Sequence, residues 1–467
     1  MLKATNDVEN SSTANWKQFC SAEYNKTDSS YWPYLEITYQ TATGIEDYWD
    51  YTTISAGRAG SGYINNTTGN MTWVHSDLGF DGNLMPVSIS HIYTLSERNE
   101  TKYGLGKGWR TNFHQTVELA ESGGYYIWRD GDGTMHDFNE KSTNTYVDED
   151  GLRLTLTVSS SGYTITDIYG NTSNFDNSGR LVSMVNNQPT PSQITITYNG
   201  TSNRIATITD GANRVYKFTY NTSNLLTQIG YHGKKKTDGS IGAEITNVQF
   251  AYSSSKLTKI TYKDGLDSHF TYDGTKLLTA MDIDDYKVKF GYSTGITKRA
   301  VSIEEFDGTI AGNKITIEYA HNKTKISDSE HTVIHHYNDY GNLISTQDEE
   351  GNGQFYQYAA NSYEETPAYK NQLKAVSKEQ NTVTNLASHG SFEGGCAWTP
   401  LVQSSISTTT EKAYIGDKAL RIMLTSSVSR ISAYGEAINL PGGKTCTFTA
   451  YVQSVDASVH LGLGTTS

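Results

Sequence analysis

Between about residues 190 and 360 one pattern recurs: two apolar residues at alternate positions, then a tyrosine, then a turn. It reads Ile194-x-Ile196-x-Tyr198, Tyr216-x-Phe218-x-Tyr220, Val248-x-Phe250-x-Tyr252 and Ser268-x-Phe270-x-Tyr272. It continues through Val288-x-Phe290-x-Tyr292, Ile315-x-Ile317-x-Tyr319, Val333-x-His335-x-Tyr337 and Gln354-x-Tyr356-x-Tyr358. Alternation with period two places each trio on one face of a strand, with Thr, Lys and Gln opposite. Turn residues follow, such as Asn199-Gly200 and Asp273-Gly274, then an aliphatic position (Ile205, Leu226, Leu257, Leu277, Leu343), then a second turn. Asp-Gly and Asn-Gly supply the positive φ of tight hairpin loops. One unit is therefore strand, turn, strand, turn. Such a unit buries its apolar face only against neighbours, which predicts an elongated or spiralling all-β sheet. The eight tyrosines at 198, 220, 252, 272, 292, 319, 337 and 358 are its expected repeat core.

Composition sharpens this picture. The 467 residues include 33 tyrosines and 42 glycines but only 7 prolines, which is the content of strands and turns rather than of helices or disordered chain. Length alone predicts several domains. With 37 Lys plus Arg against 50 Asp plus Glu, the formal charge is −13, so nucleic acid and anionic membrane are not expected partners. No apolar run approaches a membrane span. The three cysteines, Cys20, Cys396 and Cys446, form no disulfide framework or zinc motif; Cys396 and Cys446 either pair or stay as free thiols. Both termini read as cut, giving the expectation of a fragment from a longer chain.

Tyr-Asp-Gly-Thr-Lys-Leu-Leu-Thr (272–279) and Tyr-Asn-Asp-Tyr-Gly-Asn-Leu-Ile (337–344) resemble the YD repeat of RHS proteins and teneurins. In that family successive hairpins wind into a hollow β-shell. The segments Gly57–Tyr63, Asn70–Trp73, Met85–Ser90, Gly104–Arg110 and Tyr125–Thr134 are similar to the stretch preceding the repeats in RHS proteins. Read physically, Gly104 to Trp109 is a glycine-punctuated corner ending in an aromatic anchor, and 125–138 is a hairpin. Tyr34–Tyr39 resembles the last strand of a DNRLRE-type β-sandwich. Asn385-Leu386, Gly390–Glu393, Trp398, Gly416–Ile422 and Thr445–Val452 resemble the opening and middle of a jelly-roll carbohydrate-binding module, incomplete here. The expected organisation is 1–43, end of an upstream sandwich and linker; 44–180, pre-repeat segment; 181–380, repeats; 381–467, incomplete sandwich. The expected fold class is all-β, with stacked hairpins forming a spiralling or partly closed shell and sandwich segments at the ends.

Chemistry is sparse in this sequence. Asp130-Gly-Asp-Gly-Thr134 fails as an EF-hand loop, with Met135 where a glycine belongs and Lys141 where a glutamate belongs, and reads as a β-turn. His335 and His336 point to opposite faces of a strand. The acid clusters 148–150, 282–285 and 348–350 lie at turns, where solvated charge is expected. No catalytic, cofactor or metal residue is assigned, and the expectation is a non-enzyme without a cofactor. No proline follows an aspartate, so the Asp-Pro self-cleavage motif of the family's shells is not in this stretch. The resemblance implies a scaffold of a secreted or wall-associated bacterial protein, with an enclosed C-terminal toxin as partner. The other reading is an adhesin binding cell-surface glycan through Trp398 and Tyr434, with the repeats as a rigid spacer.

Overall fold

The computed structural model describes residues 43–359 apart from 122, 296 and 350, then 370–378, and short stretches between 392 and 452. The chain divides into two compact units, Met1–Ser377 and Lys378–Ser467. Among the described residues the structure is all-β, with one short 3-10 turn and no α-helix. The expectations at Tyr34–Tyr39, Cys20, Cys396 and Cys446 lie outside the described residues, as does most of Thr445–Val452.

The first unit holds two sheets. The smaller is antiparallel and follows chain order: β1 (Tyr51–Ser55), β2 (Ser61–Asn65), β3 (Met71–Gly79), β4 (Ser88–Thr94) and β5 (Trp109–Thr111). The larger is a meander in which each strand pairs with the next, starting at Thr116–Leu119 and running to Leu373–Lys378. It returns on itself. Thr116 bridges Arg180, and at the far end Lys370 Nζ lies 2.9 Å from Asp150 Oδ1 while Asn371 Nδ2 donates to the Asp150 carbonyl.

The meander passes residue 180 without a break, since Thr172–Phe175 pairs with Leu181–Val185. Phe175 stands where later repeats carry tyrosine, so a search for tyrosines starts one hairpin late. The expected turn chemistry is present: Gly200, Gly265, Gly274 and Gly351 all have positive φ. At Asp210-Gly211 the positive φ falls on Asn213 instead.

Seven of the hairpins carry one feature that alternation does not reveal. The register shifts by a β-bulge at Phe175, Tyr198, Tyr220, Tyr252, Tyr272, Tyr292 and Tyr337. A bulge bends the strand and re-aims the side chain beside it. The inward Phe218, Phe250, Phe270 and Phe290 are buried, as are Ile205, Leu226, Leu257 and Leu277 across from the tyrosines. This face packs on the small sheet: Trp73 meets Phe290 edge-on at 5.7 Å, Trp109 meets Phe270 at 5.4 Å, and His91 lies 4.4 Å from Phe250. Burying each such side chain stabilises by roughly 1.5–3 kcal/mol, so the two sheets share one core.

Candidate functional site

Four of the bulged tyrosines, with the unbulged Tyr319, form a ladder of hydrogen bonds. A bulge interrupts the regular pairing beside the tyrosine, and backbone groups of the residue opposite it find partners outside the hairpin. The carbonyls are taken by the tyrosine of the next hairpin. Tyr198 Oη donates to Leu181 O (2.8 Å), Tyr220 to Ile205 O (2.9 Å), Tyr272 to Leu257 O (2.7 Å), Tyr292 to Leu277 O (2.5 Å) and Tyr319 to Ala300 O (2.6 Å). The N–H groups of the same row turn to the preceding part of the chain. Leu181 N donates to Gln115 O, Leu226 N to Gly104 O, and Ala300 N to Gly69 O; Leu277 N donates to Tyr93 Oη. Burial pushes the ladder phenols well above their usual range.

The predicted glycine corner is one of these capping elements. Gly104, Gly106 and Gly108 all have positive φ, and Trp109, 1% exposed, donates from Nε1 to Tyr272 Oη at 2.9 Å. Two of the eight expected repeat tyrosines leave the pattern by their bonding. Tyr252 is bulged and half-buried, yet its buried hydroxyl has no hydrogen-bond partner. Tyr337 donates to Asp50 Oδ2 rather than to a carbonyl. Tyr358 ends the strand Gly353–Tyr358 and is half-buried.

Two buried acid–histidine clusters were not anticipated. In the first, Asp77 of β3 joins two imidazoles: His75 Nδ1 lies 2.8 Å from Asp77 Oδ1, and His91 Nδ1 bonds Asp77 Oδ2. His75 Nε2 is 3.0 Å from Tyr262 Oη, which also meets Ser268 Oγ at 2.7 Å. A cleft of about 440 Å³ lined by Gly57, Arg58, Ser76, Asp77 and Tyr262 opens beside it. Burial pushes the Asp77 carboxyl up, but the histidines, His91 foremost, outweigh it and hold the group below its ordinary value. His75 and Asp77 two apart in a strand otherwise facing inward with Met71 and Trp73 were the available signal.

In the second cluster, His136 of the strand Met135–Ser142 is wholly buried. Its Nδ1 lies 2.9 Å from Asp150 Oδ2, and its Nε2 faces Glu46 Oε1 at 3.2 Å and Asp130 Oδ2 at 4.0 Å. The turn reading of Asp130–Thr134 is correct: Asp130 Oδ1 accepts from the N–H groups of Asp132, Gly133 and Thr134. The expectation of solvated charge at 148–150 is not. Asp148 is buried and caps the N–H groups of Asp150, Leu152 and Leu154, which folds the loop inward and aims Asp150 at His136. Burial and the neighbouring Asp132 push Asp130 well up. Burial also raises Glu46. For His136 burial works the other way, but Asp150 and Glu46 overcome it and push the imidazole up to about 10.

The second unit contributes two strand pairs among its described residues, Thr399–Pro400 with Ala433–Tyr434 and Ser404–Thr409 with Ala419–Leu424. They place the two expected glycan residues differently. Tyr434 is exposed. The half-buried Trp398 ring lies 6.3 Å from that of Phe392 and so close over Gly435 that a Cβ there would come within 3.2 Å of the indole.

These features define a class: an all-β protein whose hairpins are stitched one to the next by tyrosine. The family described as "Domain of unknown function (DUF6531)" matches residues 62–138, which hold most of the small sheet and the Asp130 turn. No curated protein matches. Among solved structures, the Tc holotoxin pore of Photorhabdus luminescens overlaps 64% of this chain and 18% of its own at 13% identity, TM-score 0.29. A TcdB2–TccC3 complex without its hypervariable C-terminal region overlaps 67% and 21% at 9% identity, TM-score 0.30. A porin-like protein from Bacteroides uniformis overlaps 51% and 93% at 12% identity, TM-score 0.20. The chain spans about a fifth of the toxin-complex chains, and overlaps this low carry no argument about its fold or function. No helix among the described residues is long and apolar enough to cross a membrane.

Proposed function

We propose that this chain is a non-catalytic structural scaffold of a secreted bacterial protein of RHS type, its curved β-wall enclosing or displaying other segments, a C-terminal toxin among them. The observation that carries the reading is the ladder. Five phenols donate in turn to a backbone carbonyl of the preceding hairpin, so the aromatic stripe is spent on joining hairpins rather than offered to a ligand. The small sheet and its connecting segments accept N–H groups of the residues opposite the bulges, and the outward face carries Thr and Lys. A wall of this kind protects a cargo by steric exclusion and needs no reactive group.

The adhesin reading rests on Tyr434 alone, because Trp398 packs against Gly435. The test uses the natural full-length protein under limiting protease. A segment held behind the wall is cleaved at least tenfold more slowly than the same segment expressed by itself, and the double variant Tyr272→Phe/Tyr292→Phe removes part of that protection. Equal cleavage rates for the held and the free segment would overturn the reading.

A further inference from the structure

We propose that Glu46, Asp130 and His136 form a binding site for one divalent transition-metal ion, of which Zn²⁺ is the probe, that ties the segment before β1 to the start of the large sheet. Their donor atoms lie within 4.8 Å of one another. Ligands around one zinc at about 2.0–2.2 Å sit roughly 3.3 Å apart, and the Glu46–His136 separation of 3.2 Å already has that value while Asp130 at 4.0 Å needs a small inward shift. His136 Nε2 is buried, makes no hydrogen bond of good geometry and is aimed at both carboxylates.

The other side of the ring supports the assignment. Nδ1 donates to Asp150 Oδ2, and Asp150 is itself held by Lys370 through its second oxygen. A carboxylate behind a histidine fixes the tautomer that leaves Nε2 its lone pair, the arrangement that orients metal-bound imidazoles. One nitrogen and two carboxylate oxygens suit zinc and its first-row neighbours rather than calcium. Asp130 contributes only its free oxygen, because the other caps the turn. Glu46 arrives on a docked segment: its N–H donates to Tyr51 Oη, and Thr43 Oγ1 donates to Gly133 O. A metal here would join chain positions some 90 residues apart without any cysteine. The alternative occupant is a proton on Nε2, which would leave three ion-paired side chains and no metal affinity.

The experiment is equilibrium dialysis of the intact chain against Zn²⁺, with bound metal counted by atomic emission and thermal unfolding followed with and without chelator. The expected result is one Zn²⁺ per chain at micromolar free metal and a melting temperature that falls on chelation. Asp130→Asn keeps the turn cap and Glu46→Gln keeps the side-chain shape; each lowers the affinity tenfold or more. His331→Ala, on an exposed histidine, leaves it unchanged. Wild-type protein that holds no stoichiometric zinc overturns the proposal whatever the variants do, and so does undiminished binding by both carboxamide variants.

Discussion

The two sheets of the first unit solve one problem in opposite ways. Both must bury polar groups where they meet. The large sheet does so with a single bond, phenol to carbonyl, repeated from hairpin to hairpin. The small sheet uses arrangements that occur once each: Asp77 between two histidines, and Arg110 on Glu97, which also takes Arg129 of the large sheet. A repeated neutral bond is modest individually, and its loss is felt in one hairpin. A buried charge with its partners is an all-or-none unit, because removing one member strands the others in a medium that cannot solvate them. The contrast therefore predicts different sizes of damage on the two sides of one core.

The largest effect is expected at Asp77. Asp77→Ala leaves two buried imidazoles without their shared acceptor and should cost about 3–5 kcal/mol, read as a lowered urea midpoint. Acid gives a second view of the same group. Its folded pKa lies below the ordinary carboxylate value, so its contribution is fully present above the unfolded value near 4 and is lost as pH falls through the folded one. Stability of the wild type should drop below about pH 4 by an amount that Asp77→Asn does not show. An acid arm of equal depth in both proteins would mean that the histidine–aspartate unit is not what distinguishes the small sheet.

Next in size is Tyr272→Phe. The lost hydroxyl strands two buried groups, Leu257 O and Trp109 Nε1, for a cost of about 1–3 kcal/mol. The same substitution at Tyr220, which meets only Ile205 O, should sit at the lower end of that range. If Tyr272→Phe matched Asp77→Ala in damage, the claim of modest, distributed bonding would be broken.

How much of this could be read beforehand follows from the range of each interaction. Alternation, turn pairs and the glycines of the 104–109 corner are local, so the all-β class, the hairpins and the Trp109 anchor were legible. The bulge at most of the tyrosines was not, because a period-two pattern looks the same with or without one extra residue in the partner strand. Once the bulge exists, the phenol's reach to Leu257 or Leu277 follows, but its existence depends on strand register. The clusters were hidden by distance. Glu46 and His136 are unrelated in sequence, and Asp150 sat in a loop whose charges read as solvated until Asp148 was seen capping three N–H groups inside it. His75-x-Asp77 was the exception, a polar pair on the buried face of an otherwise apolar strand and visible as such.

The smallest effect is the most discriminating. Tyr252 occupies the same bulged position as Tyr272, and by the rule of the ladder its hydroxyl should find Leu226 O. It finds no partner. Leu226–Lys234 and Ile245–Ser253 are joined by a loop over 235–244, and their pairing shifts between Ile229 and Gly230, on the loop side of Val248. The Tyr252 ring rests against the corner at Gly106, as that of Tyr220 rests against Gly104. A buried hydroxyl without a partner costs free energy that a phenyl ring of the same shape does not. Tyr252→Phe should therefore be neutral or stabilise by up to about 1 kcal/mol, the reverse of Tyr272→Phe in the same denaturation experiment. A loss at Tyr252 as large as that at Tyr272 would show that the hydroxyl is satisfied in solution by a bound water or a local rearrangement. The ladder would then run unbroken through the irregular hairpin.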